Sequence, residues 1–139
     1  MPAADTAISF LDGTYREALA LTREARDYVL HQERRDKAAL PPDQQLVASC
    51  ESLRMTARLT QVVSWLMVQK AVQAGELDRT QAAAPELRLS GHEVCGVTEP
   101  AGPIALPDRL GELLQRSHAL YSRVERLDAL LDSPPQAPD

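Results

Sequence analysis

Few residues in this sequence have the type and spacing needed for catalysis or metal binding. His92-Glu93-Val94-Cys95 places a histidine close to a cysteine, a pair that could bind a metal. A tetrahedral site needs further ligands, and none follows at a matching spacing, so we expect no metal and keep this segment as a candidate contact loop. We find no glycine-rich phosphate loop, nucleophile elbow or CxxC pair. We therefore expect no enzyme and no cofactor, and an enzyme using His92 and Cys95 is the least favoured hypothesis.

A polar stripe on one predicted helix is the second candidate site. At 100° per residue its members fall within about 80° of one another. They are Glu51, Arg54, Arg58, Gln61, Trp65 and Gln69. Trp and Arg are enriched at interface hot spots, so the stripe is interpreted as a partner-binding or dimer-contact surface with partly exposed arginines. The alternative is internal: Glu51 pairs with Arg54 or Arg58, and Trp65 fills the core.

Composition limits the function classes that fit the chain. Its 139 residues suit one domain, and its 44% hydrophobic and 25% charged residues are typical of globular proteins. The net charge of −5 argues against binding to nucleic acid or to an anionic membrane surface. No stretch is long and apolar enough to span a membrane, and no export signal is visible. Cys50 and Cys95, the two cysteines, fit reduced thiols in the cytoplasm.

Apolar periodicity and breaks at proline and glycine define the predicted elements. Aromatic residues make up 4% of the chain, and no run alternates in the way that a strand requires. The spacing predicts helices over about 9–39, 43–74 and 107–131, with Asp43 as an N-cap, Gly75 as a stop and Pro107 at a first helical position. Residues 86–106 form a long loop that we expect to be mobile in the free protein. Residues 1–8 and the proline-rich residues 132–139 are predicted to be disordered.

These elements predict an all-α fold, an antiparallel three-helix bundle that runs up, down and up. The middle helix has apolar stripes on opposite sides, and such a helix must be covered on both. One stripe is Leu46, Cys50, Leu53, Ala57, Val68 and Ala71, and the other is Met55, Leu59, Val62 and Leu66. A second subunit would cover the stripe that the bundle leaves open, so we expect a homodimer. The sequence leaves open which stripe faces which neighbour.

The middle helix also carries a family signature. The run from Glu51 to Leu66, ESLRMTARLTQVVSWL, and the segments His92-Glu93-Val94-Cys95 and Arg123-Val124-Glu125-Arg126-Leu127 resemble the regulator-of-CtrA-degradation family (RcdA, DUF1465). The resemblance covers roughly residues 15–131. It implies a dimeric three-helix bundle that acts as a non-enzymatic adaptor. It also implies partners: the ClpXP protease, a response-regulator priming factor, and cargo proteins whose degradation the adaptor promotes during the bacterial cell cycle.

Two functional hypotheses follow from the residues and the resemblance together. The first is an adaptor that raises the effective concentration of cargo at the protease, which needs binding surfaces and no catalytic group. The second is a helical dimeric interaction module of the cell cycle without a protease link. The chain ends soon after Leu131, whereas family members often carry a longer polar tail. We expect a cytoplasmic protein, with concentration at a cell pole left open.

Overall fold

The computed structural model describes residues 2–98 and 105–132, and every regular element in these ranges is helical. Three long helices form the body of the molecule, and short helices lie in the connections between them. The helices are α1 (Pro2–His31), α2 (Glu33–Ala38), α3 (Pro42–Gln73), α4 (Arg79–Ala82), α5 (His92–Cys95) and α6 (Asp108–Ala129). Short 3-10 turns cover Pro85–Leu87 and Leu130–Asp132. The all-α prediction is confirmed for these ranges.

The first predicted helix differs from the observed one at both ends. The observed helix α1 begins at Pro2, so residues 2–8, which were predicted to be disordered, are helical. Proline is favoured in a first helical turn, because the N–H groups of that turn have no acceptor within the helix and a proline therefore loses no hydrogen bond. Near the other end, Gln32 leaves helical geometry at φ −127°, and α2 follows as a separate helix. The predicted tail lies outside the described residues except for Asp132, which belongs to a 3-10 turn.

Proline and glycine define the limits of α3. Pro41 occupies the N-cap position and Pro42 begins the helix, so Asp43 lies in the first turn and is not the predicted cap. A proline before the helix holds its own φ in the extended range, and one at the first position loses no hydrogen bond. After the C-cap Ala74, Gly75 takes φ +77°, the left-handed conformation that glycine adopts without a steric penalty. The predicted stop is therefore found where the sequence placed it.

The long helices run up, down and down, which corrects the predicted third direction. Asp12 pairs with Lys70 and Glu17 with Arg123, so α1 is antiparallel to both α3 and α6. Arg58 contacts Leu114 and Trp65 contacts Asp128, so α3 and α6 run parallel. Parallel neighbours need a connection that returns along the bundle, and residues 74–107 are long enough to do so. A short loop would have forced the predicted antiparallel order.

The core shows which apolar stripe of α3 faces the bundle. Met55, Leu59, Val62 and Leu66 are all at most 5% exposed and pack against apolar residues of α1 and α6. The first part of the other stripe faces outward: Leu46 is 67% exposed and Leu53 is 69% exposed. Ala57 packs against the edge of the core, and Val68 and Ala71 are half-buried. We call this surface the outer stripe of α3, and it consists of Leu46, Cys50, Leu53, Ala57, Val68 and Ala71. No charged residue belongs to it, and nothing in the described chain covers its two leucines.

Candidate functional site

The returning connection is held against α3 by the predicted polar stripe. We call residues 85–98 the strap. Its first part is the 3-10 turn Pro85–Leu87, and α5 forms a single helical turn near its end. The strap passes along α3 in the opposite direction to the helix, since Ser90 lies at Gln61 and Val94 lies at Arg54. The two candidate sites of the sequence therefore meet in one place.

Arg58 is the centre of this contact, and it is only 2% exposed. Its Nε donates to the carbonyl of Cys95 at 2.8 Å, and one terminal nitrogen donates to the carbonyl of Val97. The other terminal nitrogen reaches the carbonyl of Leu114 at 3.1 Å and the hydroxyl of Ser117 at 3.3 Å. Burial lowers the pKa of the guanidinium, and the nearby charge of Arg54 adds to this effect. Arg58 thus joins the strap, α3 and α6, and the prediction that it is partly exposed is wrong.

Glu51 and Arg54 form an ion pair beside Arg58. Glu51 is 2% exposed, and its carboxylate accepts from Nε of Arg54 at 3.2 Å. Arg54 also donates to the carbonyl of Val94 at 2.8 Å, so the ion pair too is fastened to the strap. The side chain of Arg54 keeps 15% of its surface exposed. The internal alternative for the stripe, in which Glu51 pairs with a neighbouring arginine, matches this geometry.

Gln61 positions the middle of the strap. Its side-chain oxygen accepts from the backbone N–H of Ser90 at 3.0 Å and from the Ser90 hydroxyl at 3.1 Å. The chain then turns at Gly91, which has φ +75°. A side chain at Gly91 would be strained by that conformation, and its Cβ would lie 3.3 Å from Sγ of Cys95. Glycine therefore lets the chain enter α5 close to α3.

Trp65 holds the start of the strap through Asp128 of α6. The indole N–H donates to Asp128 at 2.8 Å, and Arg88 donates to the same carboxylate oxygen at 2.8 Å. Arg88 also pairs with Asp132 at 2.9 Å. Burial acts to raise the pKa of Asp128, but the hydrogen bonds from Arg88, Trp65 and the backbone N–H of Leu89 hold it below the ordinary value. This cluster ties the strap to both parallel helices.

The last member of the stripe, Gln69, is not joined to the strap. Its amide nitrogen is buried and has no hydrogen-bond partner among the described residues. The structure therefore brings five of the six stripe residues to the strap or to its anchor on α6. Sequence reasoning missed Arg88, Tyr121 and Asp128, which complete the contact. Asp128 is a charged residue on the buried side of α6, and that placement was a usable signal.

The segment His92-Glu93-Val94-Cys95 forms α5 rather than a loop, and its side chains separate. Nδ1 of His92 lies 2.6 Å from the carboxylate of Glu125 and 3.2 Å from the hydroxyl of Tyr121. Cys95 is buried, and burial raises the pKa of its thiol. In the described residues, no group of three or more His, Cys, Asp or Glu side chains is placed to hold a metal ion. Glu93 and Val94 face outward, and Val94 is 45% exposed.

The strap contains most of the segment, residues 86–106, that was predicted to be a mobile loop. Side chains of α3 and α6 bind the strap at several points, and Leu89 and Cys95 are buried in the core. The mobility of the segment in the free protein stays a prediction. The sequence shows the glycines and prolines of this segment but not the arginines that would bind its carbonyls. Residues 99–104 of the predicted loop lie outside the described residues.

This geometry is that of a packed helical scaffold with outward surfaces, and comparisons with known proteins give its family. The profile described as "Protein of unknown function (DUF1465)" matches residues 3–139, so the chain belongs to this family. The crystal structure of RcdA from Caulobacter crescentus CB15 is similar, with 36% sequence identity and a TM-score of 0.70. The match covers 87% of this chain and 89% of that chain. No curated protein matches. The resemblance read from the sequence is confirmed.

No helix among the described residues combines the length and apolar character needed to cross a membrane.

Proposed function

We propose that this chain is a non-enzymatic adaptor that binds cargo proteins and promotes their regulated degradation by the ClpXP protease in bacterial cell-cycle control. The observation that carries the proposal is the similarity to RcdA along most of both chains. The match covers 87% of this chain and 89% of that chain, so it extends over the fold as a whole. In this proposal the adaptor acts in the cytoplasm with a response-regulator priming factor, binds no nucleic acid and needs no cofactor.

The adaptor proposal includes a homodimer formed through the outer stripe of α3. Leu46 and Leu53 are more than two-thirds exposed, and Cys50 is also exposed. Removing such side chains from water contributes roughly 25 cal/mol for each Å² of apolar surface. A symmetric contact brings the same patch of both subunits together, and this patch carries no charge that would oppose itself. A dimer would also give the adaptor two copies of every binding surface.

The polar stripe has a structural part in this proposal. Its arginines hold the strap, so a partner would meet the outward side chains of the strap rather than the guanidinium groups. Glu93, Val94 and Val97 form that outward surface, and Val97 is 37% exposed. The contact loop predicted from the sequence is therefore kept as a candidate for partner binding, with Arg54 and Arg58 as positioning residues.

A pull-down from the native host tests the proposal directly. Tagged full-length chain should retain the protease, a receiver-domain regulator and cargo together, and retention of the protease should depend on the regulator. A matched chain with Val94→Glu and Val97→Glu should retain less of one partner class, because the two charges alter the outward surface of the strap. Cargo-like partners without the protease would contradict the adaptor proposal and favour an interaction module that has no protease link.

A further inference from the structure

An open groove lies between α1 and α3, on the side of this helix pair that α6 does not cover. Residues 19–29 of α1 and 55–64 of α3 line it, and its volume is about 490 Å³. The floor is apolar, with Leu19, Val29, Leu59 and Val63. The walls span eleven residues of α1 and ten of α3, which correspond to about 15 Å of helix, the length of a three-turn segment. An apolar trough of this length between two helices is suited to a third helix laid along it.

The wall formed by α3 carries no charge. Thr56, Thr60 and Ser64 follow one another at intervals of four residues, and all three are exposed. The hydroxyls of Thr56 and Thr60 donate to backbone carbonyls of α3, so their methyl groups are left to contact an occupant. The small side chains along this wall also keep the groove open.

The wall formed by α1 has a basic outer edge. Arg26 is the one charged residue that lines the groove itself. Arg16 and Arg23 lie about 40–60° beyond Leu19 on a helical wheel, on the flank of α1 next to the groove. Arg26 pairs with Asp27, and both side chains are more than half exposed. Arg16 and Arg23 are exposed and form no ion pair with another described residue. Asp12 lies on the same flank and pairs with Lys70 at 3.2 Å. The glutamates of α1 point elsewhere, since Glu17 and Glu24 bind arginines of α6.

We infer that this groove binds an amphipathic helix of a partner protein that carries acidic residues along one flank. The apolar floor accepts one face of such a helix, and the basic edge selects the charge of its flank. A second copy of this chain fits less well, because a symmetric contact would place either the same basic edge or the uncharged wall of α3 opposite the arginines, and neither supplies an acidic flank. The inference rests on the proposed adaptor function, in which cargo or a priming factor would supply the helix.

Two labelled peptides of about 14 residues test the charge selection on the full-length chain. Both carry leucines at helical spacing, and they differ only in a flank of glutamates or lysines. Fluorescence anisotropy should show that the acidic peptide binds at least about tenfold more tightly, with an affinity that falls as salt rises. Equal binding of the two peptides, or binding of neither, would overturn the inference.

Two variants locate the binding in the groove. Arg16→Glu with Arg23→Glu should weaken the acidic peptide by about tenfold, whereas Arg126→Glu, an exposed arginine of α6, should leave it unchanged. Thr60→Trp should fill the groove and abolish binding, and Ala119→Trp on the exposed side of α6 is its control. Circular dichroism verifies that each variant folds. If Thr60→Trp dissociates a dimer that Leu53→Glu leaves intact, the occupant is a second copy and the inference is wrong.

The peptide assay contains no protease, so it separates this inference from the adaptor proposal. Peptide binding with the expected charge preference, together with no effect of the chain on proteolysis, would contradict the adaptor and leave the groove assigned. Accelerated proteolysis without charge-selective peptide binding would support the adaptor proposal and contradict the assignment of the groove.

Discussion

At the scale of residues, the main feature is a buried arginine whose partners are backbone carbonyls. Arg58 has no carboxylate within hydrogen-bond distance among the described residues, and it binds the carbonyls of Cys95, Val97 and Leu114 instead. A planar group with five N–H donors can satisfy several acceptors at once, which a lysine cannot. The guanidinium of Arg58 therefore supplies the donors that the strap carbonyls would otherwise find in regular secondary structure.

The first prediction concerns this residue. Arg58→Ala should lower the free energy of unfolding by about 3 kcal/mol, because several buried carbonyls would lose their donors. Amide exchange in residues 91–97 should increase more than exchange in α3. The free energy of unfolding of Arg58→Lys should lie between those of the unaltered chain and Arg58→Ala, since one ammonium cannot reach all three carbonyls. The control is Arg126→Ala, an exposed arginine whose removal should change stability by less than about 0.5 kcal/mol.

A result in which Arg58→Ala unfolds like the unaltered chain, with unchanged exchange in the strap, would contradict this role. Sequence reasoning placed Arg58 on the same face as Glu51 and Trp65, and that placement is correct. It could not give the burial of Arg58, because burial depends on how the distant strap folds back. The charge on Asp128 was visible in the sequence, but its partner Arg88 is 40 residues away.

At the scale of elements, a row of ion pairs joins α1 to α6. Glu24 accepts from Arg116 at 2.5 Å and from Arg109 at 2.9 Å, and Glu17 accepts from Arg123 at 2.6 Å. These hydrogen bonds lower the pKa of Glu24 from 4.5 to about 2, with Arg116 contributing most. The row fixes the antiparallel register of the two helices along their exposed edge.

The second prediction follows from that pKa. A carboxyl group with a lowered pKa in the folded state stabilises the fold above its unfolded value of 4.5, and the contribution is lost as the pH falls towards about 2. Glu24→Gln should lower stability at pH 7 by at most about 1 kcal/mol, because the groups are partly exposed and screened. The difference from the unaltered chain should shrink between pH 4.5 and 2.

Urea unfolding at a series of pH values measures this effect, with the exposed Glu76→Gln as the matched control. A difference between Glu24→Gln and the unaltered chain that stays constant from pH 7 to 2 would contradict the prediction. The sequence alone did not pair the arginines of α6 with the glutamates of α1. Pairing requires the direction of α6, and the predicted bundle had that helix in the wrong relation to α3.

At the scale of the whole molecule, the returning connection sets the topology. Helical periodicity gave three long helices, because burial of one face leaves a clear pattern. It gave no information on helix direction, which depends on where residues 74–107 lead the chain. The observed path also leaves Leu46 and Leu53 of one apolar stripe of α3 exposed, whereas the other stripe is buried in the bundle.

The third prediction concerns that stripe. Leu53→Glu should convert the proposed homodimer into a monomer of 15.3 kDa, because it places a charge in the middle of the uncharged patch. Leu130→Glu is a close control, since Leu130 is 64% exposed and Leu53 is 69% exposed. Light scattering at micromolar concentration measures the mass. A monomer before any substitution, or a dimer that survives Leu53→Glu, would contradict the assigned interface.

The most direct test of the adaptor function is the rate of cargo degradation in a purified system. It contains the ClpXP protease, the response-regulator priming factor, a CtrA-type cargo and this chain. We predict that adding the chain accelerates cargo loss at low cargo concentration, where tethering matters most, and that the gain disappears when cargo is saturating. A cargo that binds the chain but is degraded at the same rate with and without it, at every concentration, would contradict the proposed function.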